Sequence, residues 1–476
     1  MNKDQPHIRF LFNGKLQELF IDDESSISSQ TTVLEWLRSL GSYYGVKEGC
    51  AEGDCGACTV VLGELIKGKI QYKAVTSCIL FLPYLHGKHL ITVEYLSSVD
   101  KGEYTLHPIQ EILAKHNASQ CGYCTPGIVM SLFSFYQNDK QKEDINTSLS
   151  GNLCRCTGYE SIKNAAHEIV DWSEENEPEY KFDKDHLAVL KQIKGDHFFT
   201  THYYQPQSLK EALKIKSEKP DFVIVAGATD MALLKTKKQK NIGDILDISH
   251  IEELKKVEKR KTYWEFGSGV NVEDLRLLIR NEWPDFKAVL DVFGSNQIRS
   301  VATLGGNIGS ASPIGDLLPL LMVHQAQIII QSSHQTRVES IESLIQDYRK
   351  TSLLAEEMIT KIIIPIDKGW IYWSEKVSKR RQLDISSVLA SFAFRLTKDR
   401  KIGAVVLAYG GMAAIPKRAS KTEAFLLGKP FVEESFLEAA EIINHDYKPL
   451  SDVRSSQKAR ILLASNLLMK FYYQNQ

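Results

Sequence analysis

Alternation of apolar and polar residues opens the chain. Residues 8–13 (IRFLFN), a glycine at 14 and residues 16–21 (LQELFI) predict a two-stranded hairpin. Thr32 to Arg38 then follows helix spacing, with hydroxyls at Thr31 and Thr32 to start it and Glu35 three residues beyond Thr32. A glycine-rich loop and strands near 58–62, 70–74 and 89–93 complete a small β-rich domain expected over 1–95. From about 105 to 172 the period becomes helical. Pro126 sits just inside a helix start, followed by Ile128, Val129, Leu132, Phe133 and Tyr136 on helix spacing. Ile162, Ala165, Ala166, Ile169 and Val170 mark another helix over about 160–172, in a domain of 96–172. The acidic, proline-containing run SEENEPEYKFDKDH predicts a linker over 173–195. Strands and helices mix beyond it, with Phe222–Ala226 and Trp264–Ser268 strand-like and Val272–Ile279 helix-like in a domain of 196–370. The last domain, 371–476, has strands at 387–396 and 402–409 and helices at about 431–443 and 454–472. The expected fold class is a multidomain α+β chain.

Bulk properties narrow the function. A chain of 476 residues has room for two to four cores, and 43% hydrophobic with 25% charged residues is an ordinary globular composition. A net charge of −1 supplies no field to recruit nucleic acid or an anionic membrane. The opening MNKDQPHIRF lacks a secretory apolar core, and the most apolar run, Leu317 to Ile330, is interrupted by Pro319, His324 and two glutamines. A cytoplasmic location without membrane association is therefore expected. In a reducing compartment clustered cysteines bind metal or do redox work more often than they form disulfides.

All eight cysteines fall in the first third, in two sets of four. Cys50, Cys55 and Cys58 form C-x4-C-x2-C, with Cys78 twenty residues later. Cys121 and Cys124 form C-x2-C, answered by the C-x-C pair Cys154 and Cys156. With no thiol left over, two four-thiolate metal sites and electron transfer are expected. The first spacing is that of plant-type [2Fe–2S] ferredoxins. Gly49, Gly53 and Gly56 allow positive φ and bring amide N–H groups toward sulfur. Zinc is the alternative in both sets, more so in the second because C-x2-C is a common zinc knuckle. The adjacent C-x-C and the companion set favour a second [2Fe–2S]. Each half of the second set precedes a predicted helix, whose N-terminus favours thiolate charge.

Two glycine segments lie further on. Ile224-Val225-Ala226-Gly227-Ala228-Thr229-Asp230-Met231 reads as a strand entering a turn, and Thr303-Leu304-Gly305-Gly306-Asn307 precedes a Ser/Gly-rich loop ending at Asp316. Such loops can cradle a pyrophosphate through backbone amides, and equally serve as plain tight turns. Neither has the G-x-G-x-x-G order of a Rossmann site. His107 and His116 are candidate ligands or packing residues, Lys235 to Lys240 reads as a solvated face, and Phe293 suits either a core or a stacking role. No hydrolytic constellation stands out.

Taken together, GCxEGxCGxC (49–58), QCGYCTPG (120–127), GNLCRCTGY (151–159) and SVATLGGNIGSASPIGDLLP (300–319) resemble the small, iron–sulfur/FAD subunits of bacterial xanthine dehydrogenases, within the molybdenum hydroxylase family. The resemblance covers essentially the whole chain. It implies a β-grasp ferredoxin-like domain, a four-helix [2Fe–2S] domain, an FAD domain of the vanillyl-alcohol-oxidase type and a small C-terminal α+β domain. It implies that the eight cysteines hold two [2Fe–2S] clusters, and that FAD contacts fall on Ile224 to Met231, Thr303 to Asn307, Asp316 and Lys376. Phe293 would stack near the isoalloxazine and Gln120 would face the pterin of a partner. The family's molybdopterin domains are absent from these residues, so a large molybdopterin-binding subunit is the expected partner, in a higher oligomer of heterodimers. Electrons would pass from molybdenum through both clusters to FAD, and then to NAD. The segment Lys379-Arg380-Arg381-Gln382-Leu383-Asp384-Ile385 keeps a single acid where NAD-using relatives carry several, which leaves oxygen or another acceptor as an alternative. An aldehyde or N-heterocycle hydroxylase, a stand-alone NADH-dependent reductase and a zinc-stapled scaffold are the competing readings.

Overall fold

The computed structural model describes residues 7–100, 103–137, 145–175, 184–193 and 197–476. Strands His7–Phe12 and Lys15–Phe20 pair antiparallel around Asn13 (φ +48°) and Gly14 (φ +79°), the double left-handed geometry of a primed two-residue turn. His7–Phe12 also pairs parallel with His89–Ile91, followed in the sheet by Thr59–Ile66 and Lys69–Thr76. Helix Val33–Ser39 starts with a reciprocal cap. Thr32 Oγ1 accepts from Glu35 N at 3.2 Å, and Glu35 Oε2 accepts from Thr32 N at 2.7 Å. Its Trp36 meets Phe10 and Phe12 edge-on at 5.6 and 5.1 Å.

These strands belong to the first of two units, made of Met1–Gln207, Phe222–His250 and Gly294–Ala302. Val61, Tyr72 and Ile91 share a second core with helices Pro108–Lys115, Thr125–Gln137 and Glu160–Glu175. Every residue from Gly127 to Tyr136 is buried. With no solvated face, that helix satisfies its hydroxyls internally, Ser134 Oγ accepting from Ala74 N at 3.0 Å. A small sheet follows in the order Val223–Val225, Ile245–Asp247, Tyr203–Gln205, Phe198–Phe199.

The expected linker at 173–195 needs correction. Helix Glu160–Glu175 runs into it, and a further helix, Lys184–Ile193, occupies its second half. Leu190 and Ile193 are fully buried against Leu11, whose side chain points away from the core of Phe10 and Phe12. Residues 176–183 and 194–196 of that stretch lie outside the described residues.

The second unit comprises Ser208–Asp221, Ile251–Phe293 and Thr303–Gln476. It contains an antiparallel sheet in the order Val257–Lys259, Tyr263–Gly267, Met358–Pro365, Gln327–Gln331, Thr336–Ser340. A meander of Ile371–Val377, Val388–Leu396, Ile402–Gly410 and Lys417–Arg418 is covered by helices Glu433–Asp446 and Gln457–Asn475 around Phe392, Phe394, Phe436 and Phe471. The apolar run after Leu317 splits into helix Leu317–Val323 and strand Gln327–Gln331, with His324 capping the helix. No helix among the described residues is long and apolar enough to cross a membrane. Buried Arg460 ties the meander's loops together, donating to Ser387 O, Gly411 O and Asp452 Oδ1.

Two measurements check this packing. Leu190→Ala is expected to destabilise the first unit by about 3 kcal/mol, read from denaturant midpoints, because it empties a closed site; a linker residue would give no change. Burial pushes the Asp452 carboxyl up, but backbone donors at Ser455 and Arg454 and the Arg460 guanidinium outweigh it and hold the pKa at about 2, against 3.8 for the free group. Its stabilising effect is therefore complete above the unfolded value and lost as pH falls toward the folded one. The stability difference between wild type and Asp452→Asn should be full at pH 6 and vanish as pH drops through about 4 to 2.

Candidate iron–sulfur and flavin sites

The first cysteine loop is held open by backbone in the left-handed region at Ala51 (φ +55°), Gly53 (φ +78°) and Gly56 (φ +71°). This turns amides onto sulfur. Cys50 Sγ accepts from Glu52 N at 3.5 Å and from Asp54 N and Cys55 N at 3.3 Å. A Cβ on Gly49 would stand 2.7 Å from Cys55 Sγ. The Cys55 thiol, then that of Cys78, donates to Cys50 and holds it far below the usual thiol range, while Cys55 and Cys78 rise as the donors. Cys58 is lowered chiefly by Cys78. All four predicted thiols of this set are thus brought together.

The second set pairs Cys121 with Cys156 and Cys124 with Cys154. Burial, and next the Cys154 side chain, push the Cys124 thiol up to about 12. Cys121 and Cys156 are exposed, as is Gln120. Cys154 N donates to Tyr159 Oη at 2.9 Å. The two sets adjoin. Leu153 N donates to Cys55 O at 3.0 Å, and Tyr123 Oη donates to Glu48 O.

These residues fit iron–sulfur groups. Among the described residues no three or more His, Cys, Asp or Glu side chains converge as a site for one ion; the first set forms a chain of thiol contacts, Cys55 to Cys50 to Cys78 to Cys58, and the second set two pairs. Two soft thiolates per iron, with amide N–H groups turned onto sulfur, suit a dinuclear cluster better than a single zinc.

The remaining sequence candidates divide. His107 caps helix Pro108–Lys115, its Nδ1 accepting from Ile109 N at 3.2 Å, and burial lowers its pKa to about 4. His116 Nε2 meets Glu168 Oε2 at 2.5 Å. Neither lies among the thiols' partners. The run at Lys235 to Lys240 is solvated from Lys237 to Lys240 as expected, and two of its lysines also make contacts, Lys235 Nζ reaching Glu35 Oε2 at 2.8 Å and Lys237 Nζ reaching Cys50 O at 3.1 Å.

The flavin candidates fall in both units. In the first, strand Val223–Val225 feeds a turn with Ala228 at φ +58°, and a Cβ on Gly227 would lie 1.7 Å from Val301 O. In the second, the Thr303–Asn307 amides differ from a free cradle. Leu304 N donates to Val270 O, Gly305 N to Ser268 O, Gly306 N to Thr303 Oγ1 and Asn307 N to Thr303 O. Their glycine serves close packing, since a Cβ on Gly305 would lie 2.5 Å from Ser268 Cβ. Side chains remain for a ligand: Asn307 Oδ1 and Ser268 Oγ are buried without a partner, a fit for a polar cofactor. Nearby in sequence, Asp316 binds Lys376 Nζ at 2.7 Å and accepts from Ser386 Oγ, while Lys376 also donates to Val292 O at 3.2 Å beside the half-buried Phe293.

Three family models match the chain: a [2Fe-2S] binding domain over residues 92–167, the FAD binding domain in molybdopterin dehydrogenase over 197–367, and the CO dehydrogenase flavoprotein C-terminal domain over 373–475. Xanthine dehydrogenase of Emericella nidulans is 31% identical over 90% of this chain and 36% of its own length. This chain belongs to the molybdenum hydroxylase family. Xanthine dehydrogenase of Oryza sativa subsp. japonica is also 31% identical, over 84% of this molybdenum hydroxylase chain and 35% of its own length. The chain thus spans about a third of these curated relatives. Its fold is like that of a carbon monoxide dehydrogenase chain of Hydrogenophaga pseudoflava (TM-score 0.54, 20% identity, covering 56% of this chain and 94% of that one). Quinoline 2-oxidoreductase of Pseudomonas putida 86 gives a TM-score of 0.53 at 23% identity, covering 58% of this chain and 97% of that one.

Sequence reasoning missed Ser268 and the buried pair Asn152 and Gln297, which bond each other beside the first cysteine loop, and read Lys237 only as part of a solvated face. Asn152 sits inside the GNLCRCTGY segment and had a positional signal; the others had none. As a check on the flavin side, Asn307→Leu removes an unpaired buried oxygen and should stabilise the flavin-free protein by about 1 kcal/mol. Flavin titration of the same variant should show about tenfold weaker binding.

Proposed function

We propose that the chain is the electron-transfer part of a xanthine dehydrogenase, taking electrons from a molybdenum centre on a partner chain through two [2Fe–2S] clusters and FAD to NAD, as the complex hydroxylates hypoxanthine and xanthine to urate. The observation that carries it is the two thiol sets meeting through Leu153 N–H and Cys55 O in a chain whose 31% identity to a xanthine dehydrogenase runs across 90% of its length. Cys50, Cys55, Cys58 and Cys78 would hold one cluster, and Cys121, Cys124, Cys154 and Cys156 the other. A bound flavin accepts single electrons and releases a hydride equivalent.

What the residues do follows from their placement. Amides on Cys50 Sγ stabilise charge on the first set. The exposed Cys121 and Cys156 face outward with Gln120, where a large molybdopterin-binding subunit would dock. Asn307, Ser268, Asp316 and Lys376 would orient the flavin. At the acceptor segment burial pushes Asp384 up, but the Arg380 side chain and backbone outweigh it and hold it below the usual carboxylate range. Arg380 Nη2 lies 2.8 Å from Asp384 Oδ1. That carboxylate is occupied, so selection of NAD over oxygen would rest on other groups.

Metal and flavin analysis of the purified chain tests the reading, with two irons per thiol set and one FAD expected. Cys121→Ser should abolish one of two EPR-distinct clusters and stop turnover by the complex while FAD remains bound. Survival of both signals refutes the ligand assignment, and xanthine oxidation by the complex that ignores NAD refutes the acceptor.

A further inference from the structure

Two consecutive donors on one cysteine loop meet two consecutive carbonyls on the other. Leu153 N donates to Cys55 O at 3.0 Å, and Asn152 Nδ2 donates to Gly56 O at 3.2 Å. The Asn152 side chain is buried and engaged at both ends. Its Nδ2 also reaches Thr59 Oγ1 at 3.3 Å, and its Oδ1 accepts from Ser131 Oγ at 2.6 Å and Gln297 Nε2 at 3.0 Å. Gln297 is fully buried and donates to Ser131 Oγ as well, at 3.0 Å.

Three glycines make this approach sterically open. A Cβ on Gly56 would lie 2.1 Å from Gly151 O, one on Gly127 2.2 Å from Gly56 O, and one on Gly151 1.9 Å from Gln297 Oε1. A side chain packed that closely and bonded at both ends has a single setting. Its neighbour along the chain, Leu153, is the residue that makes the bridge, and Leu153 is covalently joined to Cys154. A path between the two sulfur sets therefore follows main chain and crosses one hydrogen bond. Electron exchange decays steeply through empty space and more slowly along covalent bonds and short hydrogen bonds.

We propose that Asn152, locked by Ser131 and Gln297, is a positioning residue that keeps Leu153 N–H on Cys55 O, and that this bridge carries single electrons between the iron–sulfur groups of the two cysteine sets. One group is oxidised by one electron as the other is reduced; no bond breaks and no proton moves. The inference rests on the reading of both sets as [2Fe–2S] ligands. A purely structural Asn152 would change stability and leave the electronic coupling as it was.

The test compares the full, iron- and flavin-loaded chain as wild type, Asn152→Ala and Gln297→Met. EPR of the reduced protein reads the magnetic interaction between the two cluster signals, and pulse radiolysis reads the rate of electron exchange between them. In Asn152→Ala both signals should persist, their mutual splitting should narrow, and exchange should slow about tenfold. Gln297→Met, which removes one donor to Asn152 and leaves the bridge atoms in place, should give a smaller fall in the same direction. Unchanged splitting and rate in Asn152→Ala with both signals present overturns the proposal. If that variant fails to load iron, Gln297→Met decides alone, and unchanged coupling there overturns it. A wild-type chain without two cluster signals overturns the ligand reading instead.

Discussion

The Gly56 carbonyl is a crowded acceptor. It receives Thr59 N at 3.1 Å, Thr59 Oγ1 at 2.7 Å and Asn152 Nδ2 at 3.2 Å. Backbone from three parts of the chain must come within van der Waals range for this to happen, and glycine at 56, 127 and 151 is what permits it. Loops of hydrated backbone would otherwise be held apart by the water bound to their amides and carbonyls. The Thr125–Gln137 helix, buried from Gly127 to Tyr136, and the Lys69–Thr76 strand, joined through Ser134 and Ala74, set the distance at which those glycines meet. The first unit's sheet and helices thus act as a frame for one backbone contact.

The second unit solves a different problem. Its glycine-rich turn uses its amides internally, on Ser268, Val270 and Thr303, so the turn is rigid before any ligand arrives. Recognition passes to side chains, Asn307 and Ser268 with unpaired buried oxygens, and to the Lys376–Asp316 pair. That pair is almost wholly buried, and its desolvation is offset by further bonds to Ser386 Oγ and Val292 O. Preorganisation of this kind lowers the ordering cost of binding a polar cofactor.

Local rules explain which elements were legible in the chain itself. The Asn13-Gly14 hairpin, the Thr32/Glu35 cap and the apolar strands Val388–Leu396 and Ile402–Gly410, buried along most of their length, follow from turn chemistry, capping and short runs of apolar residues, all of which act within a few residues. Helix Lys184–Ile193 was hidden because its two buried anchors, Leu190 and Ile193, sit in a charged run and find their partner at Leu11. The solvent exposure of Lys237 to Lys240 was legible because charge is visible in sequence, whereas the partners of Lys235 and Lys237, Glu35 and the Cys50 carbonyl, were not.

The candidate chemistry divides along the same line. Amino-acid order alone determined that eight thiols come as two sets of four and that glycines flank them, because ligand spacing and backbone freedom are properties of a few adjacent residues. Tertiary structure alone decided that the Thr303–Asn307 amides are spent on their own neighbours, that His107 is a cap, and that Gln297 reaches Asn152 across 145 positions. Hydrogen bonds saturate and buried space excludes. Which donor is left over, and which side chain fills a gap, is settled when distant segments are packed together.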